Sequence, residues 1–313
     1  MKRKIFSLIL MISLLLSACG APAAETVSDT ACTFTDDLGR QVTVEDPQRV
    51  AALLGSFAQV WQLAGGQICA TADDAWDDLG LALPEDAVNL GGTKSLSLEL
   101  LLVSQPDFIL ASTNTRQNVE WQETLEATGI PVAYFDIDDF DDYLRLLEIC
   151  TDITGRKDLY EQYGTAVQAQ IDGVLEESRQ RLAGQDAPKV LCMTASASAV
   201  YVKNSQGNVL GAMLKALGCE NIADSDAMLL DNLSIEHILV CDPDYIFFVQ
   251  RGDDEAGMRE YVQQFLMENP AWAQLTAVQN GRVYFMEKTL FNLKPNHRWG
   301  EAYEILEEIL ENG

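Results

Sequence analysis

The chain contains a repeat of itself, and no other feature narrows the fold as much. Residues 97–110 (SLELLLVSQPDFIL) align without gaps with residues 234–247 (SIEHILVCDPDYIF). Seven of the fourteen positions are identical, and most of the others are apolar in both copies. Each copy reads as a short helix, a proline turn and a buried strand. Ser97 and Ser234 are natural N-caps, because a serine oxygen can accept a bond from a backbone N–H of the first turn. Glu99 and Glu236 then fall in that turn, where a carboxylate suits the helix dipole. Pro106 and Pro243 stop the helices, and the aromatic–isoleucine runs that follow suit strands.

Similarity continues around this unit. Residues 50–54 read as a strand, followed by a helix over 58–64 that Gly65 and Gly66 end. In the second half, 190–193 reads as a strand and 209–217 as a helix ended by Gly218. Between them a hairpin is expected over 199–208, with its turn near 205–207. Each half is thus an α/β lobe of alternating strands and helices. Between the halves, Tyr160, Tyr163, Val167, Ile171, Val174, Ser178 and Leu182 recur at the helical period, with no proline among them. One helix of about 25 residues would be ~38 Å long and could run the length of a two-lobed protein. Gly184 and Pro188 close it. A length of 313 residues suits two such units.

The first residues set the compartment. Lys2, Arg3 and Lys4 precede a twelve-residue apolar stretch, residues 5–16. That is too short to span a bilayer, so a signal peptide over 1–18 is expected. Ser17 and Ala18 before Cys19 resemble the bacterial lipobox, which implies that Cys19 is lipidated and becomes the first mature residue. Two acyl chains there would hold the protein stably on the extracytoplasmic face of the membrane. Residues 19–32 read as the lipidated tether, 33–156 as the N-terminal lobe, 157–184 as the linking helix and 185–313 as the C-terminal lobe. The net charge of −27 repels phosphate backbones, which excludes nucleic acid as a partner. Two histidines, His237 and His297, argue against a His-rich metal site, and no intrinsic metal or cofactor is expected. Cys32, Cys69, Cys150, Cys192, Cys219 and Cys241 form no CxxC, and their pairing is left open. Cys69, Cys192 and Cys241 lie in apolar surroundings and read as core residues.

Taken in order, these segments resemble a known family. The lipobox is followed by an opening hairpin over 34–44, the strand–helix–Gly–Gly unit, and the Glu99 helix with Pro106–Asp107. The long helix, the Glu236 helix with Pro243–Asp244, and residues 278–284 (VQNGRVY) complete the set. The set is similar to the substrate-binding proteins of ABC importers, in the helix-linked class that carries ferric siderophores, haem or cobalamin. The resemblance implies two Rossmann-like lobes joined by a single long helix, with the ligand in the cleft between them. It implies that Glu99 and Glu236 dock on permease subunits, which work with an associated ATPase. It implies no catalysis. An exported enzyme on the same scaffold finds little support, since no GxSxG, P-loop or HExxH occurs. A lipoprotein that senses or adheres is the third reading.

Ligands of open α/β sheets bind beyond the carboxyl ends of the strands. Loops expected there hold Phe57, Trp76, Arg116, Arg251, Lys294 and Arg298, with Lys203 in the hairpin nearby. Basic groups at a cleft in so acidic a body suit an anionic ligand, and Phe57, Trp76, Phe291 and Trp299 could supply flat walls. A ferric siderophore ranks first, then haem, then cobalamin. His297 and Tyr201 are weaker candidates as haem ligands and read first as ordinary loop and hairpin residues. The acidic run 136–142 lacks the EF-hand spacing and reads as a helix-capping surface.

Overall fold

The computed structural model describes residues 31–225, 229–230 and 233–313. The signal peptide expected over 1–18 and the lipidated Cys19 lie outside the described residues. Strand β1 begins at Ala31, inside the segment 19–32 expected as the tether.

The chain opens with an antiparallel hairpin of β1 (Ala31–Thr35) and β2 (Gln41–Glu45). Asp36 closes its turn: Oδ1 accepts the backbone N–H groups of Leu38 and Arg40 at 3.1 and 2.9 Å. The first large sheet comprises β3 (Val50–Ala52), β4 (Ile68–Thr71), β5 (Val88–Asn89), β6 (Phe108–Ser112) and β7 (Val132–Phe135). It is wholly parallel, in the order β5-β4-β3-β6-β7. The second comprises β8 (Lys189–Ser196), β9 (Ala199–Lys203), β10 (Glu220–Asn221), β11 (Tyr245–Gln250) and β12 (Val283–Met286). Its parallel path runs β10-β8-β11-β12, with β9 antiparallel on β8. Central strands such as β6 and β11 are apolar almost throughout because helices cover both faces.

The repeat read from sequence recurs in three dimensions. Helices Leu98–Val103 and Ile235–Cys241 are capped by Ser97 and Ser234, whose hydroxyls accept the N–H groups of Leu100 and His237 at 3.2 and 3.3 Å. The aligned residues Gln105 and Asp242 both adopt left-handed backbone, with φ of 50° and 44°. Each precedes the proline, whose ring bars the helical conformation there. Asp107 and Asp244 then accept backbone N–H groups at the entry to the neighbouring strand, from Arg49 at 2.9 Å and from Lys189 at 2.8 Å. The same local rules therefore build the same corner twice.

Two expectations change. The hairpin turn lies at residues 197–198, not near 205–207, because β8 continues to Ser196 and pairs directly with Ala199. Ser196 stabilises that turn through its hydroxyl, 3.3 Å from the Ala199 carbonyl oxygen. The helical run between the sheets is not uniform. Lys157–Tyr160 and Ala166–Arg181 are α-helical, and Glu161–Thr165 is a π turn. Gly164 lies in that turn, where a Cβ would come within 3.1 Å of the Leu144 side chain.

The core explains why the halves hold together. One cluster contains Phe135 and Tyr143 from the first half, Val167, Ile171 and Val174 from the helical run, and Val190, Leu214, Trp299 and Leu306 from the second. The outer face of each sheet has its own smaller cluster. Polar contacts tie the run to both sides. Tyr143 donates to the Tyr163 carbonyl at 3.0 Å, and Arg181 forms a two-pronged pair with Glu307 of the last helix, Trp299–Asn312, at 2.7 and 2.9 Å. Cys192 is core, as expected, whereas Cys69 and Cys241 are only partly buried; all six described cysteines are unpaired.

Candidate functional site

Residues that follow the carboxyl ends of strands in both sheets line one cleft of about 670 Å³. From the first half come Asp73, Asp74 and Asp78 after β4, Lys94 and Ser95 after β5, and Thr115 after β6. From the second come Thr194 of β8, Lys203 at the end of β9, Arg251 after β11, and Lys288 after β12. Two further cavities of about 680 and 340 Å³ adjoin it, and Asp78 lines all three.

Charge organises this region. Lys288 Nζ bridges the halves, at 2.8 Å from Asp78 Oδ1 and 2.7 Å from Asp253 Oδ1. Burial lowers its basicity, but the two carboxylates prevail and hold its pKa above the ordinary value. Arg251 stacks on Tyr201, with its guanidinium carbon 5.3 Å from the ring centre. Asp74 accepts the Gly55 N–H at 2.9 Å, yet burial pushes its pKa up to about 6, with repulsion from Asp78 and Asp73 adding to the rise. Thr194 Oγ1 is buried and has no partner among the described residues. A buried hydroxyl left unpaired is costly, so a ligand group that met it would gain a hydrogen bond at little further desolvation.

The residues expected at the ligand divide. Arg251 lines the main cleft, together with Lys203. Lys294 and Arg298 line the smaller cavity, but both are engaged elsewhere. Lys294 donates to the Ile137 carbonyl across the halves and lies 3.8 Å from Asp138; Arg298 grips Glu301 at 2.7 and 2.8 Å. Burial lowers the Lys294 pKa, against the pull of Asp138 and Asp136. Arg116 is turned outward, its side chain 91% exposed and paired with Glu120 at 2.7 Å, because it begins a surface helix. Phe57 is 1% exposed and packs edge-on against Phe135, so it is core and no cleft wall. Phe291 and Trp299 are buried likewise, for the same reason: the apolar side of each loop turns toward the shared core. Trp76 is half-buried in the turn Asp74–Asp77 and lines none of the three cavities. His297 is half-buried beside Tyr163, and burial lowers its pKa. Asp139 caps the helix Phe140–Thr154 in a reciprocal box with Asp142, which gives the acidic run its local role.

Lys94, Asp78 and Lys288 escaped the reading from sequence. Lys288 stands two residues past β12, where the carboxyl-end rule applies. Lys94 follows a strand of only two residues, too short to leave a pattern.

Comparison with known proteins agrees with this geometry. The periplasmic binding protein family matches residues 50–290. The Fe(3+)-citrate-binding protein YfmC of Bacillus subtilis is 24% identical over 90% of this chain and 87% of its own length. The putative ABC transporter substrate-binding lipoprotein YhfQ of the same organism is 24% identical over 98% of this chain and 97% of its own. Among solved structures, Staphylococcus aureus SirA complexed with staphyloferrin B superposes with a TM-score of 0.69. It is 17% identical, covering 90% of this chain and 98% of that one, and so speaks for the fold alone. A family match across both sheets and the cleft between them shows that the chain belongs to the periplasmic binding protein family.

Proposed function

We propose that the protein is the extracytoplasmic substrate-binding component of an ABC importer and that its cleft takes a hydrophilic ferric chelate of siderophore type. The lining of the main cleft carries this reading. Lys94, Lys203 and Arg251 offer cations to an anionic chelate, Lys288 does so once released from Asp78 and Asp253, and Asp73, Asp74 and Thr194 offer polar contacts. No aromatic ring lines it among the described residues. A haem would need broad apolar walls, but Phe57, Phe291 and Trp299 are spent in the core and Trp76 lines no part of the cleft. The ferric citrate in the name of a similar protein, YfmC, points the same way. Titrating the full chain with ferric citrate, a ferric catecholate and haem, by tryptophan quenching, tests it. Saturable binding of a carboxylate chelate is expected; saturable binding of haem alone would sink the ligand class.

The lobes would be delivered to permease subunits through Glu99 and Glu236, both exposed on matching helices, with an ATPase completing the importer. Exposed ion pairs contribute roughly 0–1 kcal/mol each, so their part would be orientation and encounter. Lipid on Cys19 would keep the protein at the membrane. Reversing the charge of both glutamates should leave ligand binding intact and abolish uptake; normal uptake would remove the docking role.

A further inference from the structure

The two most exposed large apolar side chains among the described residues are Val240, at 85%, and Val103, at 70%; Phe265 follows at 51%. Val103 and Val240 occupy the same position of the repeat, in helices Leu98–Val103 and Ile235–Cys241. Each stands four residues after a repeat glutamate, Glu99 or Glu236, and residues four apart share one helix face. Each half therefore presents the same small surface: an exposed carboxylate beside an exposed isopropyl group. The exposed Leu100 has no apolar counterpart, since His237 stands at its position, and the exposed Leu102 matches a half-buried Leu239.

We propose that Val103 and Val240 are the apolar contacts of a duplicated permease-docking surface, each seated beside the glutamate of its own lobe. The inference rests on the docking reading above and adds to it the residues that give the encounter its grip. A surface duplicated by an internal repeat fits a partner that presents one binding patch twice, as a two-fold pair of identical subunits does. Charge selects the partner further. In a chain of net charge −27, two acidic patches repel a second copy of the protein and attract a cationic rim. The matching patch on each permease subunit is then a basic side chain beside an apolar depression. An ion pair at the rim sets approach and orientation, while a desolvated aliphatic group lowers the dissociation rate.

Photo-crosslinking in the producing cells tests this with the full chain. Benzoylphenylalanine is placed singly at positions 99, 103, 236 and 240, and at 265 as an exposed control. Adducts at 103 and 240 with the same integral-membrane permease polypeptide, identified by mass spectrometry, are expected, with none at 265. Permease adducts at 99 and 236 but none at 103 and 240 would overturn the inference and leave glutamate docking standing. Absence of permease adducts at all four would overturn docking and, with it, this inference. The double variant V103S/V240S gives a second readout. Its affinity for the purified permease–ATPase complex should fall on the order of tenfold; unchanged affinity would refute the proposal.

Discussion

Asp74 shows how a single side chain can carry a pH signature. Its carboxyl is lifted to about 6 by burial, against the Gly55 N–H and Lys288, which favour the charged form. In the unfolded chain it would titrate near ~3.9. Between those values the native state holds a proton that the unfolded state releases. Stability from this group therefore falls as pH rises through that window, and the full burial cost is present above it. Asp74→Asn keeps an acceptor for Gly55 and removes the charge. It should raise stability by about 1–2 kcal/mol at neutral pH, after discounting for partial solvent access, and change little below the window. Denaturant unfolding at both pH values checks this; an equal gain at each would mean burial of charge is not the cause. Phe57→Ala belongs to the same scale. It should cost ~3–5 kcal/mol in unfolding experiments, as loss of a core ring does. Loss of ligand affinity in a still-stable Phe57→Ala protein would return that residue to the cleft. Lys203, Arg251 and the acidic cap at Asp139 were legible as residue types at known positions. The orientation of Arg116 and Phe57 was not, because a loop side chain can turn either way and sequence offers no periodicity to decide it.

Short helices gain their stability here from caps and contacts rather than from length. Ser97→Ala and Ser234→Ala should each destabilise the protein by roughly 0.5–2 kcal/mol, the ordinary worth of an N-cap. Thermal unfolding of the two variants measures this, and a null effect in one would break the equivalence of the two copies. Gly55 poses a different constraint at the start of helix Gly55–Leu63. A Cβ there would lie 2.5 Å from the Ala75 backbone nitrogen and 2.8 Å from its Cα. Backbone cannot yield as a flexible side chain does, so Gly55→Ala should cost at least about 1–3 kcal/mol and loosen Asp74 in the cleft wall. The capped helices and the helical run between the sheets follow from period and punctuation, whereas the opening hairpin was expected only from the family resemblance and the π turn at Glu161–Thr165 left no pattern. The β8–β9 turn lies away from Gly207 because the strand pairing extends to Ser196, past where the apolar run stops.

The two halves share one hydrophobic cluster, which limits how far they can part. Polar bridges then set the resting closure. Asn296, buried with φ of 55°, donates to the Ser56 carbonyl at 2.9 Å and to Gln59 at 2.7 Å, and Lys288 spans the cleft mouth between Asp78 and Asp253. A chelate that claims Lys288 must displace Asp78, so binding is coupled to this bridge. Lys288→Met should open the unliganded protein, measurable as a larger radius of gyration by small-angle scattering. An unchanged radius would assign the closure to the shared core and Asn296 alone.

What the sequence determined by itself is local: the repeat, its caps, its proline corners and the apolar runs are consequences of neighbouring residues and short-range sterics. It also bounded the partners, since net charge acts at a distance whatever the fold. What tertiary structure decided is which charges meet. Asp78 and Lys288 lie far apart along the chain, as do Asp74 and Gly55 in a smaller degree. Asp74 meets Gly55 because β3 and β4 are neighbours in one sheet, whereas only the packing of two sheets against a common helical core brings Asp78 to Lys288 and sets whether a ring faces ligand or core.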